Sequence, residues 1–242
     1  LVRFLLNLAA FLLMVAVNAL ANIIPFNGQT TGEISNRLHV LFTPAGYVFS
    51  IWGLIYLLTG IWVLRELPKK RRDLPLYTTT SGLFIWSSLL NTAWIFLWHF
   101  EFFFFTVVVM VLLLLTLIKL YTRIQAVDHS FWDILPFSVY LGWISVATIA
   151  NISYVLTFYG WNGFGLSDVT WTVILLLSGT FLALFFRWKN HDWVYPLVFI
   201  WAFVGIGVKN QASTPTVAYI AYGLAAVILI GIFLFRNPKI ET

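Results

Sequence analysis

Apolar residues run along this chain in eight stretches, separated by short polar breaks. A helix that crosses the ~30 Å hydrocarbon core of a bilayer needs about 20 residues. The runs near 4–24, 44–65, 77–98, 102–123, 135–158, 169–187, 193–210 and 215–235 meet that length. The breaks carry turn chemistry: Pro25-Phe26-Asn27-Gly28, Pro68-Lys69-Lys70-Arg71-Arg72-Asp73, Gly160-Trp161-Asn162-Gly163 and Ser213-Thr214-Pro215. The tightest is His99-Phe100-Glu101, which demands a close hairpin between the third and fourth spans. The pattern predicts an all-α, polytopic membrane bundle of about eight transmembrane helices. Arg3 followed by an apolar run and Ala19-Leu20-Ala21 imitates a signal peptide. That run is also long enough to span, and it is read here as the first helix.

Composition sharpens the picture. The chain has 242 residues, 61% of them hydrophobic and only 10% charged, whereas soluble domains carry about 25% charged residues. A net charge of +5 would suit nucleic acid if it were clustered on one surface. Here the basic residues fall in the connections, which is the signature of membrane orientation, and no nucleic-acid partner is expected. With the N-terminus cytoplasmic, the inside segments hold Arg3, Arg65, Lys69, Lys70, Arg71, Arg72, Lys119, Arg123, Arg187, Lys189, Arg236 and Lys239. These are 12 of the 14 basic residues; Arg37 and Lys209 fall outside. Both termini are therefore expected in the cytoplasm, with the protein a multi-pass component of the plasma (inner) membrane.

Candidate chemistry is sparse. There is no cysteine, and the four histidines (His39, His99, His129, His191) lie far apart in loops or at helix ends, so no metal site is expected. No carboxylate lies within the spans as read, which disfavours proton relays. The same lack of a counter-ion argues against a retinal-type Schiff base at Lys209. Leu117, Tyr121 and Arg123 fit a proposed cholesterol pattern that many helix ends satisfy. Asp168 is placed to cap the sixth span. Trp98, Trp132, Trp161, Trp188 and Trp193 sit at span ends, as in an interfacial belt. Trp52, Trp86, Trp94, Trp143 and Trp201 fall inside spans, where packing between helices or lining a cavity would occupy them.

Three spans repeat one arrangement. Trp52 and Tyr56 are four apart with Phe49 before them; Asn91 and Trp94 are three apart, with Ser87 and Trp98 on either side. Tyr140, Trp143, Ala147 and Asn151 follow at spacings of three, four and four. Each set shares a helix face. Asparagine is costly against lipid, so these faces should point into the bundle. Packing with hydrogen-bonded asparagines explains any one of them; three together fit an apolar pocket with a few convergent polar groups.

The stretch Thr43-Pro44-Ala45-Gly46-Tyr47-Val48-Phe49-Ser50-Ile51-Trp52-Gly53-Leu54-Ile55-Tyr56 resembles the second-helix signature of the tryptophan-rich sensory protein (translocator protein, TspO/MBR) family. Leu90-Asn91-Thr92-Ala93-Trp94 resembles its third-helix motif. The fifth-span series from Tyr140 through Trp143, Ser145, Ala147 and Thr148 to Asn151 matches its fifth. The resemblance covers roughly residues 1–158 as a five-helix core and leaves 159–242 as three additional helices. It implies a homodimeric bundle that binds tetrapyrroles such as protoporphyrin or haem, or sterols, without a required cofactor. The ligand-binding residues would be Trp52, Tyr56, Asn91, Trp94, Tyr140, Trp143, Ala147 and Asn151. Three departures stand out. Phe49 is three rather than four before Trp52, residues 25–43 hold no Trp or Lys, and the last three helices have no counterpart in the five-helix core.

The functional expectation is thus a receptor, sensor or carrier for a planar hydrophobic ligand. Its alternatives are a tryptophan-mediated porphyrin-degrading enzyme and a structural or assembly subunit. No nucleophile–base constellation points to ordinary transfer or hydrolytic catalysis.

Overall fold

The structure, a computed structural model, describes residues 1–235; Arg236 and Lys239 of the orientation count lie outside them. Among the described residues ten α-helices follow one another: α1 (Val2–Ile23), α2 (Thr31–Asn36), α3 (Ile51–Arg65), α4 (Lys69–Arg72), α5 (Pro75–His99), α6 (Phe103–Gln125), α7 (Phe131–Phe158), α8 (Asp168–Asn190), α9 (Val194–Asn210) and α10 (Pro215–Leu234). A 3₁₀ turn over Gly46–Ser50 runs directly into α3, and no strand occurs among the described residues. Seven of these segments are long and apolar enough to cross a membrane. The eighth apolar helix, α9, has 17 residues, or about 25 Å at 1.5 Å per residue. The protein is a polytopic helical membrane bundle.

Outward-facing side chains fit lipid rather than water. Leu57, Leu64, Phe104, Leu115, Phe181 and Tyr219 are all exposed on the apolar helices, a density that no water-facing surface carries without aggregating. Burial is deepest along α7, where Gly142, Ser138, Ser145 and Thr148 keep the profile narrow and let neighbours approach. Helix ends follow local rules. Thr30 and Glu33 form a reciprocal capping box on α2, and Pro75 opens α5. The cap of α8 is Ser167, whose hydroxyl accepts from the Thr170 amide at 3.1 Å. Asp168 is instead the first helical residue, where its charge complements the helix dipole.

The chain divides into two compact units, Leu1–Leu38 with Ile51–Val155, and His39–Ser50 with the segment from Leu156 onward. In the first, α5 packs on α1 and α6, and α1 also packs on α3. Trp62 is fully buried there, with ring centroids of Tyr77, Phe84 and Phe137 at 5.0, 5.1 and 5.1 Å.

At one end of this unit lie two buried carboxylates that the span reading overlooked. Glu66, just past α3, accepts from Arg3 Nε at 2.9 Å and from Asn7 Nδ2 at 2.7 Å. Asp133, in the first turn of α7, pairs with Arg65 and Arg71 and accepts from the Ser130 hydroxyl at 2.7 Å. Buried charge is tolerated only where partners of this kind replace water.

The second unit is built on α9. It packs against α8, α10 and the 3₁₀ turn. Asn210 Nδ2 donates to the Leu41 carbonyl at 2.9 Å, the Ala45 amide donates to the Gly205 carbonyl at 3.0 Å, and Trp201 Nε1 donates to the Val48 carbonyl at 3.0 Å. Gly205 is required by this approach. A Cβ there would lie 2.1 Å from Val48 Cγ2, well inside contact distance.

Between α7 and α8 the chain makes an ordered aromatic turn. Asn162 accepts from the Phe164 amide through its side chain at 3.1 Å, and Trp171 Nε1 donates to the Gly163 carbonyl at 2.8 Å. Phe164 sits in the left-handed region at φ 53°, between Gly163 and Gly165, which also have positive φ. For a residue with a Cβ that conformation costs about 1–2 kcal/mol.

Candidate ligand-binding site

The residues singled out by sequence fall into two groups within the first unit. In the first group Trp52 stacks on Tyr56, one helical turn later, with centroids 5.7 Å apart. Its ring meets Tyr140 and Trp143 of α7 edge-on at 5.9 and 6.2 Å, the geometry favoured by aromatic quadrupoles. Tyr140 and Trp143 are buried, whereas Trp52 and Tyr56 keep partial exposure. Two indoles and two phenols from α3 and α7 therefore meet.

Asn91 joins this group from α5. Its Nδ2 donates to the Tyr140 hydroxyl at 2.9 Å, and its Oδ1 accepts from Asn18 Nδ2 of α1 at 2.8 Å. Asn18 also donates to the Met14 carbonyl at 2.9 Å, and the Tyr140 hydroxyl lies 3.9 Å from Met14 Sδ. A polar chain thus runs from α1 through α5 to α7 beside the aromatic group. Each member satisfies another, as a buried network must in a low dielectric.

The second group contains Trp94 and Asn151. Trp94 Nε1 donates to Asn151 Oδ1 at 3.0 Å, and Asn151 Nδ2 donates to Thr106 Oγ1 of α6 at 2.9 Å. Trp94 stacks on Trp98 at 5.1 Å, and Trp98 meets Tyr154 at 4.7 Å. Ala147 is partly buried and lies one turn from Trp143 and one from Asn151 on α7, the smallest side chain on that face.

Asn27 and Thr31, shortly after α1, close over the second group. Asn27 Nδ2 donates to the His99 carbonyl at 3.1 Å, Thr31 Oγ1 lies 3.0 Å from His99 Nε2, and Trp98 Nε1 donates to the Thr31 carbonyl at 3.3 Å. Arg37 and Glu101 form an ion pair at 2.6 Å nearby.

A profile of the TSPO-like protein family matches residues 4–234. The chain belongs to that family. No curated protein and no solved structure matches it. In this TSPO-like chain the match continues through α8, α9 and α10, well past residue 158, where the motif resemblance stops. The matched residues thus include the last three helices.

Two residues of these groups escaped the sequence reading, and the signal for them was present. Asn18 and Met14 are four apart on α1, and Asn7 lies seven before Met14. All three fall on one face, and asparagine within a span is as informative in the first helix as in the third. Trp86 corrects the reverse assumption. Although it falls mid-span, it is 52% exposed on α5 and takes no part in either group. Among the described residues no group of His, Cys, Asp and Glu is arranged to hold a metal ion.

Proposed function

We propose that this TSPO-like membrane protein binds a planar hydrophobic ligand, a tetrapyrrole or sterol-like lipid, in its first unit. Trp52, Tyr56, Asn91, Tyr140, Trp143 and Ala147 would contact the ligand, with Trp94 and Asn151 bordering them. The observation that carries the reading is the partly exposed Trp52–Tyr56 stack set against Tyr140 and Trp143 beside a hydrogen-bonded asparagine. Indole and phenol faces supply stacking surface, and apolar burial supplies most of the affinity at about 25 cal/mol per Å² before ordering costs. Asn91 and Tyr140 already bond each other, so a polar edge of the ligand would be read by exchanging one of these bonds.

Titration with protoporphyrin in detergent or nanodiscs tests it, followed by haem and a sterol. Saturable quenching of tryptophan fluorescence is expected, reduced more by Trp143→Phe or Trp52→Phe than by Trp188→Phe. Ala147→Leu should weaken binding with the elution profile unchanged. Quenching that none of the three site variants alters would place the ligand elsewhere. Conversion of the bound pigment in the dark would mark an enzyme.

A further inference from the structure

The turn joining α7 to α8 is built to present an aromatic side chain. Phe164 is 81% exposed, the most exposed large apolar side chain among the described residues, yet its backbone is firmly held. Asn162 binds its amide, the Gly165 amide donates back to the Asn162 carbonyl at 3.0 Å, and Leu166 N donates to the Gly163 carbonyl at 3.0 Å. Trp161 is wedged between Trp171 at 5.0 Å and the Phe164 ring at 5.3 Å. A bulky residue with positive φ is an outlier that a structure retains for a reason, and glycine would occupy the position without strain. Tyr159 and Leu166 project beside it, both exposed.

Three observations select the occupant of this surface. Residues 134–167 contain no charged side chain, so nothing on the turn matches a charged partner. Exposed apolar side chains flank the turn on both sides: Leu156 and Phe158 of α7, and Ile174 and Leu177 of α8. Finally, α7 has 28 residues, or about 42 Å at 1.5 Å per residue. That exceeds the ~30 Å hydrocarbon core and matches the ~40–45 Å of core plus headgroups. A helix of that length ends at headgroup level, and the turn follows directly on its last residue.

We propose that residues 159–166 form an interfacial anchor, in which the outward-held Phe164, flanked by Tyr159 and Leu166, inserts at the boundary between lipid headgroups and acyl chains. Aromatic rings prefer this zone. The anchor fixes the depth of the end of α7 from which the turn departs. The left-handed Phe164 is the cost of holding an exposed ring in so short a turn.

The chain lacks cysteine, so single-site spin labelling is clean. A label at Phe164→Cys in nanodiscs of neutral lipid should show oxygen accessibility well above nickel-chelate accessibility. A label at Gln211→Cys, in another exposed connection, should show the reverse. In a Leu166→Cys reporter, Phe164→Gly should shift the label toward water, while Phe164→Trp should keep it in lipid. Because Phe164→Gly relieves the backbone, its thermal midpoint in detergent should hold or rise, which separates loss of anchoring from loss of fold. Nickel accessibility at 164 equal to that at 211 would overturn the proposal. So would a label that is water-exposed in pure lipid but immobilised and shielded in native membrane fragments, which would assign the surface to a protein partner.

Discussion

Asn91 of α5 stands between two other helices, donating to the Tyr140 hydroxyl at 2.9 Å and accepting from Asn18 at 2.8 Å. Replacing it with alanine strands both neighbours at once. Buried interhelical hydrogen bonds in membranes are worth about 1–2 kcal/mol in model peptides and less in folded proteins. Asn91→Ala should therefore lower the thermal midpoint by an amount equivalent to about 1–2 kcal/mol. The double variant Asn18→Leu/Asn91→Leu should lose less than the sum of its singles, because it removes partners together. Strict additivity in this cycle would show that the network is not coupled.

Glu66 offers a second test. Its carboxylate is fully buried and held by Arg3 and Asn7. Glu66→Leu leaves two donors facing an apolar surface and should cost about 1–3 kcal/mol, moderated because Arg3 is partly exposed and can turn toward water. Glu66→Gln keeps the shape and one acceptor and should cost less. Denaturation curves of the two variants in one detergent make the comparison; equal losses would deny the charge any role.

In the second unit the contact of Gly205 with Val48 is steric. Gly205→Ala should destabilise by about 1–3 kcal/mol, as overpacked sites do, since a stiff β-branched side chain occupies the space. Val48→Ala in the same chain should recover much of the loss. Failure of this rescue would mean that α9 and residues 44–48 do not meet as described.

Orientation is checked by single cysteines in the cysteine-free chain. At Gln29 and Gln211 they should react with an impermeant thiol reagent added to intact cells, and at Asp73 they should not. Labelling at Asp73 would reverse the assignment of both termini to the cytoplasm.

The spans were legible because lipid imposes a length on them: α5 and α7 lie within four residues of their predicted starts and one of their predicted ends. The stack of Trp52 on Tyr56 was legible too, since period-four spacing puts the two on one helix face. What the pattern could not give is which faces meet. Trp86 and Trp94 are both mid-span indoles, and only tertiary packing sends one toward lipid and the other to Asn151. Nor could it show that Glu66, next to four basic residues in a connection, turns inward to Asn7. Pairing across about sixty residues leaves no local trace.

The segment His39–Ser50 folds with helices that the ribosome makes much later. Val48 is synthesised 157 residues before Gly205, which at about 5–20 residues per second is a delay of roughly 8–30 s. During that interval the carbonyls of Leu41 and Val48 await Asn210 and Trp201, and α3 enters the membrane with its leading turn unanchored. Biogenesis of this chain therefore cannot proceed as a finished amino-terminal bundle followed by an appendage. The segment His39–Ser50 is among the later parts to mature, and a nascent chain stopped after Phe158 would leave it without its partners in α9.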